Sequence, residues 1–147
     1  MTDQKENYGY PGFEQPGDGL TEYTANLFAI EQRLSKIATR TLAKVVSVTN
    51  AGGVTAVGFV DVQPLVNQVD GAGNSIPQAI INNVPYFRLQ GGTNAIIIDP
   101  EIGDIGVVGF SDRDLTAVKI NRAQSNPGSY RRFSMSDGLY FGGMLNG

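Results

Sequence analysis

A period-two alternation of apolar, mostly β-branched residues begins after Arg40 and dominates the middle of the chain. It is clearest in Thr41–Val48 and Val54–Val69, and the turn between them is rich in glycine, which adopts the positive φ angles of hairpin turns. Because alternation places every second side chain on one face of a strand, the pattern is typical of antiparallel sheets with one buried face. The sequence therefore predicts a mainly β protein.

Asp70–Asn74 is predicted as a second hairpin turn, and three more strands are predicted after it, at Ser75–Gln90, Asn94–Pro100 and Asp104–Phe110. Two prolines in the first of these place it at an edge or break it, and the last two are expected to pair with each other. The long strand before them is expected to bend or bulge at Gly58 and Pro64. Five strands with one long, curled member favour a five-stranded OB-like Greek-key barrel, and an SH3-like barrel is the competing fold.

One helix is predicted before the strands, from Thr21 to about Ala38, where good helix formers cluster without glycine or proline and either Asp18 or Thr21 is available as the N-cap. Its apolar residues are spaced by four, three, four and three positions, which is heptad spacing. We call this set the helix stripe: Tyr23, Leu27, Ile30, Leu34 and Ile37. It predicts either an oligomer interface of more than two helices or an amphipathic helix that lies on the sheet of its own domain.

The pattern divides the chain into four parts: an extended N-terminal arm at residues 1–20, the amphipathic helix at 21–38, the barrel at 39–121 and a C-terminal segment at 122–147. Three aromatic residues of the arm, Tyr8, Tyr10 and Phe13, are unusual in a solvated tail. The ending LYFGGMLNG is also too apolar for a free tail. Either the arm packs on a neighbour or it is an unstructured terminus.

The amino-acid composition excludes several classes of function. The chain has neither Cys nor His, so thiolate nucleophiles, imidazole bases, disulfides and the common zinc ligands are excluded. A net charge of −3 disfavours generic nucleic-acid binding. Charged residues make up 17%, below the usual share of about 25%, which favours burial of surface against other chains. With no apolar run of about 18 residues and no secretion signal, we expect a soluble protein made in the cytoplasm.

The acidic residues are densest around the last predicted turn, at Asp99, Glu101, Asp104, Asp112 and Asp114. Their spacing lacks the twelve-residue calcium-loop pattern, and no aromatic cleft surrounds them as a carbohydrate-cleaving carboxylate pair would need. We interpret them as solvated turn residues, with no metal, no cofactor and no catalytic residue predicted.

A basic cluster lies near the C-terminus, where Arg122, Arg131 and Arg132 are accompanied by Tyr130 and Phe133. Stacking aromatics beside arginines suit single-stranded nucleic acid. In an acidic chain, inter-chain ion pairs or a solvated face are favoured instead.

Four stretches in this order, Val60–Gly73, Asn82–Gly92, Ile96–Leu115 and Arg131–Gly147, resemble the N-terminal part of phage baseplate central-spike proteins. These are the membrane-puncturing proteins of contractile tails. The resemblance spans about residues 40–147, and it depends on the order of several motifs because no single one is diagnostic.

The resemblance implies a non-enzymatic structural protein, in which an OB-like barrel trimerises on the tail axis and closes the hub and tube above a β-helical needle. The implied partners are two sister copies, hub and tube proteins, and transiently the host envelope, in a virion protein made in the host cytoplasm. Because the sequence ends where a needle would begin, either a separate tip protein docks on its apolar end or the tip is blunt. The predicted spike-tip docking residues are Leu139, Tyr140, Phe141, Met144 and Leu145.

Two other functions are carried as alternatives. One is an OB-fold single-stranded nucleic-acid-binding protein that uses the cluster at Tyr130–Phe133. The other is a carboxylate glycosidase that uses Asp99 or Asp104 on cell-wall polymer.

Overall fold

The computed structural model describes residues 21–50 and 58–144. Its helices and strands, in chain order, are α1 (Glu22–Leu34), β1 (Arg40–Asn50), β2 (Gly58–Pro64), β3 (Gln68–Val69), β4 (Ser75–Ile76), β5 (Ile81–Pro85), β6 (Leu89–Gly91), β7 (Asn94–Ile96), β8 (Ile105–Phe110), α2 (Thr116–Asn121) and β9 (Gly138–Gly143), with a 3₁₀ turn at Met135–Asp137. The prediction of a mainly β protein with a short helix is confirmed. The predicted arm at residues 1–20 lies outside the described residues.

Five strands form one curled, antiparallel half-barrel sheet in the order β5-β2-β1-β8-β9. The register shifts where β1 meets β2, where β2 meets β5 and where β8 meets β9, and such bulges increase the twist of a sheet. Tyr86, just after β5, forms a parallel bridge with Tyr140 of β9, and the Phe87 N–H donates to the Tyr140 carbonyl oxygen at 2.7 Å. The curl thus brings the two edge strands together.

The core lies inside this curl and is supplied by alternate residues of each strand. β2 alternates most regularly, with Val60 and Val62 buried. The buried apolar side chains among the described residues are Ala43, Val45, Val60, Val62, Ile81, Val84, Tyr86, Val108 and Tyr140. Burial of one valine side chain contributes about 1.5 kcal/mol, so this small core depends on every strand of the sheet.

The prediction that the last two strands pair with each other is wrong. β7 pairs with β6 in a separate two-stranded sheet, whereas β8 pairs with β1 and β9. The predicted strand Ser75–Gln90 is broken at its prolines into β4, β5 and the start of β6. The fifth strand of the large sheet is therefore β9, because the apolar ending offers the alternation that the exposed β7 lacks.

α1 begins where its capping chemistry predicts. The Thr21 hydroxyl accepts from the Thr24 N–H at 3.1 Å, and the Thr24 hydroxyl accepts from the Thr21 N–H at 3.1 Å. The helix ends at Leu34, before the predicted Ala38. α1 and the β3–β4 hairpin belong to one compact unit of the chain, and the five-stranded sheet belongs to another.

The β3–β4 hairpin turns at Asp70–Asn74, as predicted. One carboxylate oxygen of Asp70 accepts from the backbone N–H groups of Ala72 at 2.9 Å and Asn74 at 2.7 Å. The side-chain hydrogen bond from Asn74 also lowers the pKa of Asp70. The Gly71-Ala72-Gly73 sequence is thus part of a hairpin turn, as the sequence predicted.

Candidate interaction surface

The helix stripe of α1 is exposed along its whole length. No residue of α1 is buried, and the four stripe residues that lie on it retain 41–70% of their accessible surface. The fifth, Ile37, lies beyond the end of the helix at Leu34 and is 39% exposed, so the prediction that it continues the helical stripe is wrong. The capping box fixes where the helix starts and thereby which residues share this face. An apolar stripe left in water favours coverage by a partner, which keeps the interface prediction open.

The predicted docking residues at the C-terminal end are divided between two faces of β9. Leu139 and Phe141 are 37% and 51% exposed, whereas Tyr140 between them is 1% exposed and belongs to the core. The prediction that Tyr140 docks a tip protein is therefore wrong, because alternation along a strand turns it inward. Met144 is 57% exposed, and Leu145 lies outside the described residues.

β9 also shows that the predicted boundary at residue 121 does not coincide with the end of the sheet. Gly138–Gly143 pairs with β8 from Phe110 back to Gly106. The segment predicted as a separate lead into the tip therefore supplies a structural strand, and only the outward face of that strand remains for docking.

Two aromatic rings meet on the outward face beside β9. The ring centroids of Phe87 and Phe141 are 6.3 Å apart at an interplanar angle of 38°, and Phe87 is 55% exposed. Gly109 of β8 lies against the Phe141 ring, since a Cβ there would approach that ring to 2.6 Å. Such pairs stabilise by about 1 kcal/mol beyond their area, so the two rings form a fixed apolar patch on the surface.

The β6–β7 hairpin carries apolar side chains that sequence reasoning assigned to longer strands. All six of its strand residues are exposed, among them Leu89 and Ile96 at 57% and 60%. Ile98 and Ile102 beyond it are 79% and 72% exposed. The sequence predicts a strand over Asn94–Pro100, whereas β7 ends at Ile96 and leaves Ile96 and Ile98 on the surface.

An ion-paired network occupies the loop region before β9, where the sequence predicted a basic cluster. The Arg131 guanidinium donates to the carboxylates of Asp137 at 2.8 Å and Asp114 at 2.9 Å. Both carboxylates are buried, with Asp137 only 1% exposed. Thr116 and Ser129 donate to Asp114 as well, through a hydroxyl and a backbone N–H of Thr116 and the hydroxyl of Ser129.

These contacts lower the pKa of both carboxyl groups. Hydrogen bonds from Thr116, followed by Ser129 and the charge of Arg131, lower the pKa of Asp114 to about 2. The hydrogen bond from Arg131 lowers the pKa of Asp137. Arg131 is thus an internal counter-ion, which differs from the inter-chain or solvated role expected from the sequence. Arg132 and Tyr130 are exposed.

A groove of about 380 Å³ lies beside the start of β2 and the chain after β5. We call it the basic groove, and its charged and aromatic lining residues are Phe59, Tyr86, Phe87, Arg88, Lys119 and Arg122. Among the described residues that line it there are three cations and no carboxylate. Desolvation lowers the pKa of Lys119, because burial disfavours its ammonium form.

Tyr86 and Arg88 are held at the groove by Asp99. The Tyr86 hydroxyl donates to Asp99 at 2.5 Å, and the Arg88 guanidinium donates to the Tyr86 oxygen at 2.7 Å and to Asp99 at 3.3 Å. Gly58 leaves room for this arrangement, since a Cβ there would collide with the Tyr86 ring. The sequence did not indicate this groove, because its residues lie on segments far apart in the chain.

The acidic residues around β8 differ in their use: Asp99 contacts Tyr86 and Arg88, whereas Asp114 is buried and ion-paired with Arg131, so the prediction that it is a solvated turn residue is wrong. The Asp104 carboxylate accepts from the Glu101 N–H at 2.9 Å, closing the turn before β8. Within residues 21–50 and 58–144, no three carboxylates converge in a way that could hold a metal ion. Neither helix in this part of the chain is long and apolar enough to cross a membrane.

The surface of this molecule thus combines an exposed helix stripe, an aromatic patch beside β9 and one basic groove. Neither a protein-family model nor a curated protein matches this sequence.

Proposed function

We propose that this chain is a non-enzymatic structural component of a phage contractile-tail baseplate, the base of the central spike. In this proposal three copies form a homotrimer of OB-type barrels that closes the hub and tube and transmits force during envelope penetration. The proposal starts from the motif order of the sequence, and the surface of the folded chain supports it.

The strand arrangement supports an OB-type barrel as the fold. β1, β2 and β5 form an antiparallel meander, β8 adds to the free side of β1, and β9 follows it. A parallel contact then joins Tyr140 of β9 to Tyr86 after β5. A five-stranded Greek-key barrel requires such a return of the last strand to the third strand of the meander.

The observation that carries the proposal is the amount of apolar surface left uncovered. Among the described residues nine apolar side chains are buried, whereas twenty-two large ones are exposed. Scattered exposed apolar residues are ordinary, but a continuous helix stripe and an aromatic patch are typical of interfaces between chains. Chains that assemble permanently bury such surface against sister copies.

The outer face of β9 is the proposed contact for a tip protein. Leu139 and Phe141 are available on it, Phe141 contacts Phe87, and Met144, just beyond the strand, is also exposed. The helix stripe is the proposed interface between the sister copies, and hub and tube proteins are further proposed partners.

The first experiment measures the mass of the purified chain by light scattering after size exclusion. Three times the mass of one chain is expected, unchanged on dilution to low micromolar concentration. A second measurement locates the chain in an electron-microscopy map of the intact particle, where density on the tail axis below the hub is expected. A stable monomer, or a position away from the axis, contradicts the proposal.

Single-stranded nucleic-acid binding through Tyr130–Phe133 is the rival proposal. Its central cation, Arg131, is ion-paired with two buried carboxylates, so phosphate contact there would break an internal network. A gel shift on single-stranded DNA separates the two, because phosphate-driven binding weakens steeply as salt rises.

A further inference from the structure

We propose that the basic groove binds the first twenty residues of a second copy of this chain. The inference rests on the homotrimer proposed above, and it adds to it the segment that links one copy to the next. Its basis is the match in charge and chemistry between that segment and the groove.

The net negative charge of the chain comes from this segment. Residues 1–20 contain four acidic side chains, Asp3, Glu6, Glu14 and Asp18, and one cation, Lys5. Their formal charge of −3 equals the formal charge of the whole chain, which leaves residues 21–147 neutral. A long-range attraction between the segment and a basic site on a sister copy follows from this separation.

The groove has the complementary charge. Arg88, Lys119 and Arg122 line it, and the nearby Asp99 is already engaged by Tyr86 and Arg88. The lowered pKa of Lys119 arises from desolvation, which an incoming carboxylate would offset by favouring the ammonium form. A carboxylate on the occupant would therefore be stabilised by the cations of the groove, and it would in turn stabilise the charged form of Lys119.

The aromatic residues of the segment also match those of the groove. The segment carries Tyr8, Tyr10 and Phe13 between its acidic residues, and the groove presents Phe87, which is 55% exposed, beside Phe59. A volume of about 380 Å³ lies within the range of roughly 300–1,000 Å³ of small ligand sites, which suits one or two side chains of an extended peptide. The groove adjoins the Phe87–Phe141 patch, so the occupant would continue an apolar surface.

A nucleic acid is the weaker match. The molecule as a whole is acidic, and one of the three groove cations is partly neutralised by Asp99. A polyanion needs several free cations along its path to offset repulsion from such a chain.

Disulfide trapping tests the inference directly, because the native chain has no cysteine. Two full-length versions with different affinity tags are co-expressed, one carrying Asn7→Cys and the other Gln90→Cys, at the exposed rim of the groove. Complexes purified through both tags are oxidised and separated on a denaturing gel. A band joining the two tags is expected, and Gln15→Cys replaces Asn7→Cys as a second position in the segment.

Charge reversal supplies the control. Lys119→Glu with Arg122→Glu in the groove is expected to lower the yield of the joined band about tenfold, since two attractive pairs become repulsive. Arg113→Glu with Arg132→Glu makes the same change at exposed positions outside the groove and is expected to leave the yield unchanged. Glu6→Lys with Glu14→Lys in the segment is expected to restore the yield in the groove variant.

The outcomes separate this inference from the function it rests on. A trimer that gives no joined band from either position overturns the inference and leaves the proposed function intact, whereas a monomer overturns both. A disulfide formed only within a chain that carries both cysteines overturns the second copy as occupant. Single-stranded DNA binding that is lost in the Lys119→Glu, Arg122→Glu variant would identify a nucleic acid as the occupant and overturn the inference.

Discussion

Arg131 and the hydrogen bonds around it keep two buried carboxylates charged. Asp137 is 1% exposed and Asp114 is 5% exposed, and removal of an ionised carboxylate from water is costly unless a cation and hydrogen bonds replace the solvent. The network joins the loop before α2 to the turn before β9, because the Leu115 N–H also donates to Asp137. One arginine therefore fixes the path by which the chain returns to the sheet.

The network predicts a loss of stability in acid. The pKa of Asp114 is lowered from 3.8 to about 2 in the folded chain. A lowered folded-state pKa stabilises the protein above the unfolded value, and this contribution is lost as the pH falls through the folded value. We expect the urea midpoint to fall between about pH 4 and pH 2.

Arg131→Met tests the source of that acid sensitivity. Removal of the guanidinium raises the pKa of Asp137 most, because the hydrogen bond from Arg131 is the main cause of its lowering, and raises that of Asp114 less, because Thr116 and Ser129 still donate to it. The variant should therefore be less stable at pH 7 and should lose less stability on acidification. Arg132→Met, at an exposed neighbouring position, is expected to follow the native profile. Parallel acid profiles for all three proteins would contradict the role given to Arg131.

Gly106 is a second residue at which a single atom decides the packing. A Cβ at Gly106 would collide with the backbone oxygen of Gly142 and the Tyr140 ring, so Gly106→Ala is expected to destabilise the fold by about 2 kcal/mol. A Cβ at Gly91 meets no described atom within 4 Å, which makes Gly91→Ala the matched control. Urea unfolding measures both, and equal effects would contradict the close approach of β8 and β9.

At the scale of elements, β9 presents a buried face and an exposed face that alternate along one strand. Tyr140 fills the core, whereas Leu139 and Phe141 face outward, where a partner can reach them. An apolar C-terminal stretch therefore does not by itself indicate a docking tail. It can close the sheet and offer a surface in the same six residues.

Tyr140→Phe tests the inward half of β9. The Tyr140 hydroxyl is buried and has no hydrogen-bond partner among the described residues, so its removal is expected to change the free energy of unfolding by less than about 1 kcal/mol. Tyr140→Ala should cost about 3 kcal/mol or more, because it leaves a cavity in the core. Chemical denaturation distinguishes the two, and a tolerated alanine would contradict the core position.

At the scale of the whole molecule, the main feature of the described residues is that more large apolar side chains are exposed than are buried. The described core holds nine apolar side chains, which is few for a chain of 147 residues. The exposed stripe of α1 and the exposed β6–β7 hairpin lie in different units of the chain. A two-stranded hairpin without a buried face is marginal in water, so both elements gain stability if a partner covers them.

A charged substitution in the helix stripe tests whether the stripe is covered by another chain. Ile30→Lys places an ammonium group in the middle of the stripe, and we expect the proposed trimer to dissociate to monomers at low micromolar concentration, with a dissociation constant raised about a hundredfold or more. Asn26→Lys makes the same change in charge at an exposed helix position outside the stripe and should leave the mass unchanged. Light scattering measures both, and circular dichroism checks that the sheet persists. Equal masses for native and Ile30→Lys proteins would exclude the stripe as an interface.

The elements that the sequence predicted correctly are those specified by neighbouring residues. Thr21 begins the helix, Asp70 forms the hairpin turn, and alternation identified β1, β2 and β8. Capping, turn formation and strand periodicity all act over a few residues, so they can be recognised in a single sequence.

Tertiary structure alone decided which strands pair and which polar groups meet. β7 pairs with β6 and not with β8, and the Tyr140 side chain lies in the core because β9 is a strand of the large sheet. Arg131 forms its ion pair with Asp114, seventeen positions away in the chain. Each of these depends on contacts between segments that no local pattern links, since competing pairings have similar local propensity and differ only in what they bury. The basic groove has the same origin, because Phe59, Arg88 and Lys119 come together only when the sheet curls.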